Sequence, residues 1–133
     1  MVKIEHIGVA VNNIEEARSV FTKLFGKTYF KSENVASENV AITFFQMGET
    51  KIELLNTTSG QSAISKFIEK KGEGIHHIAF SVDDIHSEIK RLKNEGFLFI
   101  SEEPKPGADN KLICFIHPKS TNGVLVELCQ DLI

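Results

Sequence analysis

A sequence pattern that occurs twice constrains the fold of this chain more than any other feature. The first copy occupies residues 4–14 and the second residues 75–85, so that His77 matches His6 at a shift of 71 positions. Each copy reads as a strand, a turn and the start of a helix. The repeat therefore predicts two copies of one structural module.

Both strands of the repeat carry a histidine among small residues on one face. Because side chains alternate along a strand, His6 shares its face with Gly8 and Ala10. His77 lies in the same pattern, whereas its neighbour His76 points with the bulky apolar residues to the opposite face. We therefore expect His6 and His77 to line a cavity and the apolar faces to pack against helices.

The rest of the sequence completes each module as β-α-β-β-β. Strands are expected at residues 28–33, 40–47, 51–55, 97–101, 112–116 and 124–129. Helices are expected from Asn12 or Asn13 to Gly26, with Ile14, Ala17, Phe21 and Leu24 on the apolar side, from 63 to 71, and from Asp84 to Gly96. Residues 103–110 contain prolines and a glycine and are expected to be irregular.

A second pair of matching polar residues lies in the last strand of each module. Glu53 and Glu127 are 74 positions apart, and each sits in the middle of an apolar strand. A buried charge is costly unless it is paired or bound to a metal. A lone histidine or glutamate in a strand is usually structural, but duplication of both residue types favours a metal site formed by His6, Glu53, His77 and Glu127. Imidazole and carboxylate ligands suit one divalent ion of the first row, such as Co²⁺, Ni²⁺, Mn²⁺, Zn²⁺ or Fe²⁺.

These observations predict an α+β fold in which two tandem βαβββ modules form one curved sheet around a metal site. The expected organisation is a single domain, residues 1–133, with module one at 1–56, a linker helix at 57–73 and module two at 74–133.

Composition excludes several classes of function. A net charge of −3 without basic clusters argues against nucleic-acid binding, and the apolar runs are too short to span a bilayer. With no leader-like segment at the N-terminus, we expect a cytoplasmic protein. Cys114 and Cys129 lie in strand-like runs, which favours buried thiols over a disulfide.

Other polar residues are weaker candidates. His86 is expected on an exposed helix face and His117 in a His-Pro turn, whereas Cys129 should line the cavity. Lys119 and Asn110, in loops beside the proposed cavity, are candidates for contact with an anionic substrate. Lys105 is a further candidate. For both lysines, the simpler interpretation is a solvent-exposed side chain without a role in binding.

The paired modules and their four polar positions resemble the vicinal oxygen chelate superfamily and, within it, the methylmalonyl-CoA epimerases. The resemblance covers nearly the whole chain. It rests on the segments 4–11, 51–55, 74–85, 106–109 (Pro-Gly-Ala-Asp), 117–119 (His-Pro-Lys) and 123–128 (Gly-Val-Leu-Val-Glu-Leu).

This resemblance implies an isomerase of propionate metabolism that epimerises (R)- and (S)-methylmalonyl-CoA. A proton would leave C2 and return on the other face through a metal-stabilised enolate, with Co²⁺ as the expected ion and a homodimer as the expected assembly. Glu127 and Glu53 would be the two bases, because paired carboxylates can perform general acid–base transfer.

The chain departs from one form of this family, in which glutamine stands at the position of Glu53 and a glutamate on the preceding strand is a base. Residues 40–43 contain no carboxylate here. Glu53 would then be both ligand and base, or Glu38 would reach in from its loop. The alternatives are glyoxalase I (lactoylglutathione lyase) and a non-enzymatic ligand-binding protein of the same fold, which typically lacks the metal ligands.

Overall fold

The computed structural model describes residues 1–101 and 103–132, so Glu102 and Ile133 of the predicted second module lie outside the described residues. Within the described part, the elements follow the predicted order, β-α-β-β-β twice with a helix between. The strands are β1 (Lys3–Ala10), β2 (Lys31–Val35), β3 (Val40–Met47), β4 (Thr50–Thr57), β5 (Gly74–Ser81), β6 (Lys105–Gly107), β7 (Lys111–Ile116) and β8 (Val126–Asp131). The helices are α1 (Ile14–Phe25), α2 (Ala63–Lys71) and α3 (Ile85–Asn94).

The strands form a mixed sheet in the order β2-β3-β4-β1-β5-β8-β7-β6. The chain divides into two compact units, one of residues 7–76 and the other of residues 1–6 and 77–133. Strands β1 and β5 contribute residues to both units. Neighbouring strands β2-β3-β4 and β6-β7-β8 are antiparallel, whereas β5 and β8 are parallel.

The unit of residues 7–76 has a core between α1 and the sheet. Buried Val11, Ala17, Phe45 and Leu54 form this core, with Val9, Phe21 and Phe25 packed against it. The Asn13 side chain caps α1 by accepting hydrogen bonds from the amides of Glu15 and Glu16 at 3.0 and 3.2 Å. Gly26 ends α1 in the left-handed conformation with φ of 70°. The predicted boundaries of this helix are therefore confirmed.

The unit of residues 1–6 and 77–133 has the corresponding core beneath α3. Its buried residues are Val82, Ile85, Ile89, Leu92, Cys114, Ile116, Val126 and Leu128. Asp84 caps α3 as predicted, because its carboxylate accepts a hydrogen bond from the Ser87 amide at 3.2 Å. Val9 of β1 packs against the core of α1 and Phe80 of β5 against the core of α3. The residues that alternate with each histidine therefore meet a helix, which confirms the alternation expected from the repeat.

Three predictions about local structure were wrong. Leu24 is 68% exposed, and Phe25 packs against the core at the end of α1 in its place. Residues 97–101 form only one isolated bridge, between Phe99 and Ile116. The strand β6 lies instead in the stretch expected to be irregular, where Lys105 pairs with Ile113. Proline is compatible with this position because β6 is the last strand of the sheet and needs no donor on its outer side.

None of the helices in the described residues is long and apolar enough to cross a membrane.

Candidate metal centre

Three of the four predicted metal ligands converge in the unit of residues 1–6 and 77–133. The Nε2 atoms of His6 and His77 are 2.9 Å apart. Glu127 Oε1 lies 3.0 Å from His77 Nε2 and 3.5 Å from His6 Nε2. All three side chains are buried, with 5–6% of each residue exposed. One carboxylate and two imidazoles therefore aim their donor atoms at one point.

The register of the sheet explains why His77 and Glu127 meet. In the parallel pair, Ala79 of β5 stands beside Glu127 of β8, and residues in register share a face. His77 lies two residues before Ala79 and so shares that face as well. Ala79 is fully buried beside Glu127. The Phe115 ring, 5.7 Å from the His77 ring in an edge-on arrangement, adds an apolar wall.

Electrostatics keep Glu127 ionised. Burial alone would raise the pKa of its carboxyl, but hydrogen bonds and charge interactions with His6 and His77 outweigh burial and hold the pKa well below its usual range. The other carboxylate oxygen, Oε2, accepts a hydrogen bond from Cys129 Sγ at 3.1 Å. Glu127 is therefore in the ionised form that both a metal ligand and a proton acceptor require.

The donor set fits a divalent metal ion. Two ligand atoms, each about 2.1 Å from one ion and at right angles, lie about 3 Å apart, and the three donors are separated by 2.9–3.5 Å. Within the described residues, His6, His77 and Glu127 form a group able to hold an ion, and a second group contains Glu5, His6 and Cys129. Both groups include His6.

Glu5 is a site residue that the sequence analysis missed. Its Oε1 lies 2.7 Å from His6 Nδ1, and its Oε2 lies 3.7 Å from Lys111 Nζ. Glu5 is buried, with 5% exposed. The comparison of the two repeats did not identify Glu5, because the matching residue of the second module is His76 and not a carboxylate. The His76 ring lies edge-on to Phe67, with 5.0 Å between the centroids. A carboxylate directly before the histidine, in a strand that is apolar from Ile7 onward, was the available signal.

The other unit contains the remaining predicted carboxylates. Glu53 lies in β4, is 4% exposed, and pairs across the strands with Phe44 of β3. Glu38, the alternative base, lies in a short 3₁₀ helix of residues 36–38 and is exposed. Of the two, Glu53 has the buried position expected of a functional carboxylate, and its role stays a prediction.

The weaker candidates occupy varied positions. His86 is exposed on α3 as predicted, and the side chain of His117 accepts a hydrogen bond from the Lys119 amide at 3.1 Å. Lys119 itself is exposed in a short 3₁₀ helix of residues 118–120. The Asn110 side-chain amide donates a hydrogen bond to the Leu132 carbonyl at 2.8 Å, so Asn110 stabilises the local structure.

Both cysteines are buried thiols, as predicted. Burial, with a smaller effect of the nearby Glu127 charge, raises the pKa of Cys114 to about 12. Cys114 is therefore a neutral core residue at physiological pH. Cys129 shares the strand face of Glu127 and contacts its carboxylate, as expected of a thiol in the wall of the site.

Comparison with known proteins places this arrangement in a family. The sequence profile of the Glyoxalase/Bleomycin resistance protein/Dioxygenase superfamily matches residues 5–115. The chain belongs to this superfamily, and within it to the methylmalonyl-CoA epimerase family of enzymes.

The relatives are similar over nearly the whole chain. The uncharacterized protein YqjC of Bacillus subtilis is 40% identical, and the match covers 98% of this chain and 93% of YqjC. The mitochondrial methylmalonyl-CoA epimerase of Dictyostelium discoideum is also 40% identical, with 95% of this chain and 76% of that protein covered. A structure of a Streptomyces coelicolor methylmalonyl-CoA epimerase variant in complex with 2-nitronate-propionyl-CoA superposes with a TM-score of 0.93 at 29% identity, covering 98% of this chain and 95% of that one.

The lowered pKa of Glu127 predicts a specific pH dependence of stability. A carboxyl whose folded pKa lies below its unfolded value of about 4.3 contributes stability above that pH and loses it as the pH falls. In metal-free protein, the free energy of unfolding of the wild type should therefore fall more steeply between about pH 5 and pH 2 than that of Glu127→Gln. Urea denaturation at each pH measures this difference, and parallel pH profiles for the two proteins would contradict it.

Proposed function

We propose that this chain interconverts (R)- and (S)-methylmalonyl-CoA and uses one divalent metal ion held by His6, Glu53, His77 and Glu127. The convergence of His6, His77 and Glu127 carries the proposal, because buried imidazole and carboxylate donors this close together need either a shared proton or a cation. Co²⁺ is the expected ion. The similarity to named epimerases over nearly the full chain supports the choice of substrate.

The chemistry requires removal of the C2 proton and its return on the opposite face. A bound divalent ion would supply Lewis-acid stabilisation of the negative charge that develops on the substrate carbonyl oxygens. The protein must supply one group to take the proton and another to return a proton. We assign these roles to Glu127 and Glu53, since each is a buried carboxylate in a strand.

The state of Glu127 suits a metal ligand. Because its pKa is held low, it is ionised at neutral pH and can bind a cation. The Cys129 thiol occupies Oε2, so Oε1 is the oxygen that faces the two imidazoles. One oxygen of the carboxylate is therefore held by the Cys129 thiol, and the other is directed at the proposed metal site.

Several finer assignments stay predictions. Lys119 is the candidate for contact with the anionic acyl-CoA, because its side chain is exposed while the Asn110 amide is engaged by Leu132. The homodimer, the cytoplasmic location and the division into module one, linker helix and module two follow from the sequence patterns and the resemblance described above.

Metal removal and restoration tests the reaction directly. Chelator-treated protein in D₂O should leave the C2 proton of (S)-methylmalonyl-CoA in place, and adding Co²⁺ should replace it with deuterium and generate the (R) epimer. Proton NMR measures the exchange, and an enzyme that consumes one epimer measures inversion. Exchange that is unaffected by the chelator would contradict metal dependence. Failure to turn over with Co²⁺ bound would contradict the substrate and favour the hemithioacetal reaction of glyoxalase I.

Substitution of Glu53 tests its role as a base. Glu53→Gln keeps the size and an oxygen donor but removes the group that accepts a proton, so epimerisation should fall by about 10²–10⁴-fold, the typical contribution of general acid–base catalysis. Co²⁺ should still bind. Glu49→Gln, in the exposed turn before β4, is the matched control and should retain activity. Epimerisation by Glu53→Gln at the control rate would remove Glu53 from the mechanism and leave Glu38 as the alternative.

A further inference from the structure

Glu5 occupies an unusual position for a strand carboxylate. Neighbouring residues of an ideal strand point to opposite faces, yet Glu5 Oε1 lies 2.7 Å from the ring of the next residue, His6. The two side chains are almost completely buried, at 7% and 6% exposed. Burial of a charged group costs free energy unless the group is paired or hydrogen-bonded. The contact with His6 therefore helps to stabilise the buried Glu5 and restricts the orientation of both side chains.

The contact determines which nitrogen of His6 carries a proton. An ionised carboxylate only accepts hydrogen bonds, so His6 Nδ1–H donates to Glu5 Oε1. In the neutral ring the lone pair then lies on Nε2, the atom that faces His77 Nε2 at 2.9 Å. A metal ion needs that lone pair. The Glu5 contact therefore presents His6 in the tautomer and ring orientation that a ligand must have.

Lys111 supports the Glu5 charge. Its Nζ lies 3.7 Å from Glu5 Oε2 and also pairs with Asp131. Lys111 is largely buried, with 14% of its side chain exposed, whereas the Asp131 side chain is 75% exposed. The charges run in series from the surface inward: Asp131, Lys111, Glu5, then His6. Lys111 contacts two carboxylates, and of these Glu5 contacts His6. Substitutions of Glu5 and of Asp131 can therefore be compared to separate an effect on His6 from a general effect on Lys111.

We infer that Glu5 is a positioning residue that fixes the tautomer and ring orientation of His6, so that Nε2 is directed at a divalent ion, with Lys111 holding the Glu5 carboxylate in place. This inference rests on the metal site proposed above. Outer carboxylates that orient histidine ligands typically affect metal affinity by 10–100-fold when they are removed. Glu5 itself contacts neither substrate nor metal in this account.

Metal binding by matched variants tests the inference. Competition with a chromophoric chelator gives the Kd for Co²⁺, and the visible absorption of bound Co²⁺ reports its ligand field. Glu5→Ala should weaken binding by about 10–100-fold, and Glu5→Gln, which keeps a neutral acceptor, should have an intermediate effect. Asp131→Asn, the matched control on the other side of Lys111, should bind within about twofold of wild type. If Glu5→Ala does not fold, Glu5→Gln carries the test.

The tautomer of His6 is read without any metal. Long-range ¹H–¹⁵N NMR of metal-free protein should show His6 protonated on Nδ1, and in Glu5→Gln or Glu5→Ala the Nε2–H form should gain population. A merely structural role for Glu5 would not produce this change.

The outcomes separate the two proposals. Wild-type affinity and an unchanged cobalt spectrum in both Glu5 variants would overturn the role of Glu5 and leave the metal site intact, as would protonation of wild-type His6 on Nε2. Failure of the wild type to bind Co²⁺ would overturn the metal site, and the positioning role would fall with it.

Discussion

The burial of Glu127 between two imidazoles is the interaction on which the unit of residues 1–6 and 77–133 depends. A carboxylate that is only 5% exposed loses most of its hydration, and close contacts with His6 and His77 and a hydrogen bond from the Cys129 thiol replace it. His6 lies in β1, His77 in β5, and Cys129 in β8 with Glu127 itself, so these contacts form only when the three strands are in place. The apolar core beneath α3 includes Phe80 of β5 and Val126 and Leu128 of β8, and it stabilises the pairing of these two strands.

Much of this arrangement could be predicted because it follows from alternation and repetition. The period of two along β1 and β5 assigned His6 and His77 to the face away from the helices, and the repeat connected Glu127 with Glu53. The N-terminal caps of α1 and α3 could be predicted from Asn13 and Asp84, since such side chains accept hydrogen bonds from the first amides of a helix, which have no partner within the helix.

The errors have a common physical origin in interactions that a local pattern does not encode. Leu24 matched the helical period, but the end of α1 turns Phe25 to the core instead. The proline-containing stretch became β6 because an edge strand needs only one set of backbone hydrogen bonds. Glu5 was missed because its side chain reaches a residue that an ideal strand places on the other face. The partners involved are Phe45 for Phe25, β7 for β6, and His6 with Lys111 for Glu5, and none of these contacts is encoded by the helical or strand period.

The fold alone does not determine the reaction, because related folds host different chemistries and the site must supply the specificity. In this chain, the site combines an ionised carboxylate, two imidazoles and an outer carboxylate–lysine pair. Such a set can bind a cation and keep its ligands oriented with little rearrangement, which is the requirement for electrostatic stabilisation of a developing charge. Glu53, buried in β4 of the other unit, is the remaining member of the proposed ligand set.

Anomalous X-ray diffraction from crystals grown with Co²⁺, recorded on both sides of the cobalt absorption edge, tests the central claim most directly. The account predicts one anomalous peak per chain at about 2.0–2.2 Å from His6 Nε2, His77 Nε2 and a Glu127 oxygen, with Glu5 still hydrogen-bonded to His6 Nδ1. A cobalt peak elsewhere, with the His6–His77 and His77–Glu127 hydrogen bonds intact, would contradict it.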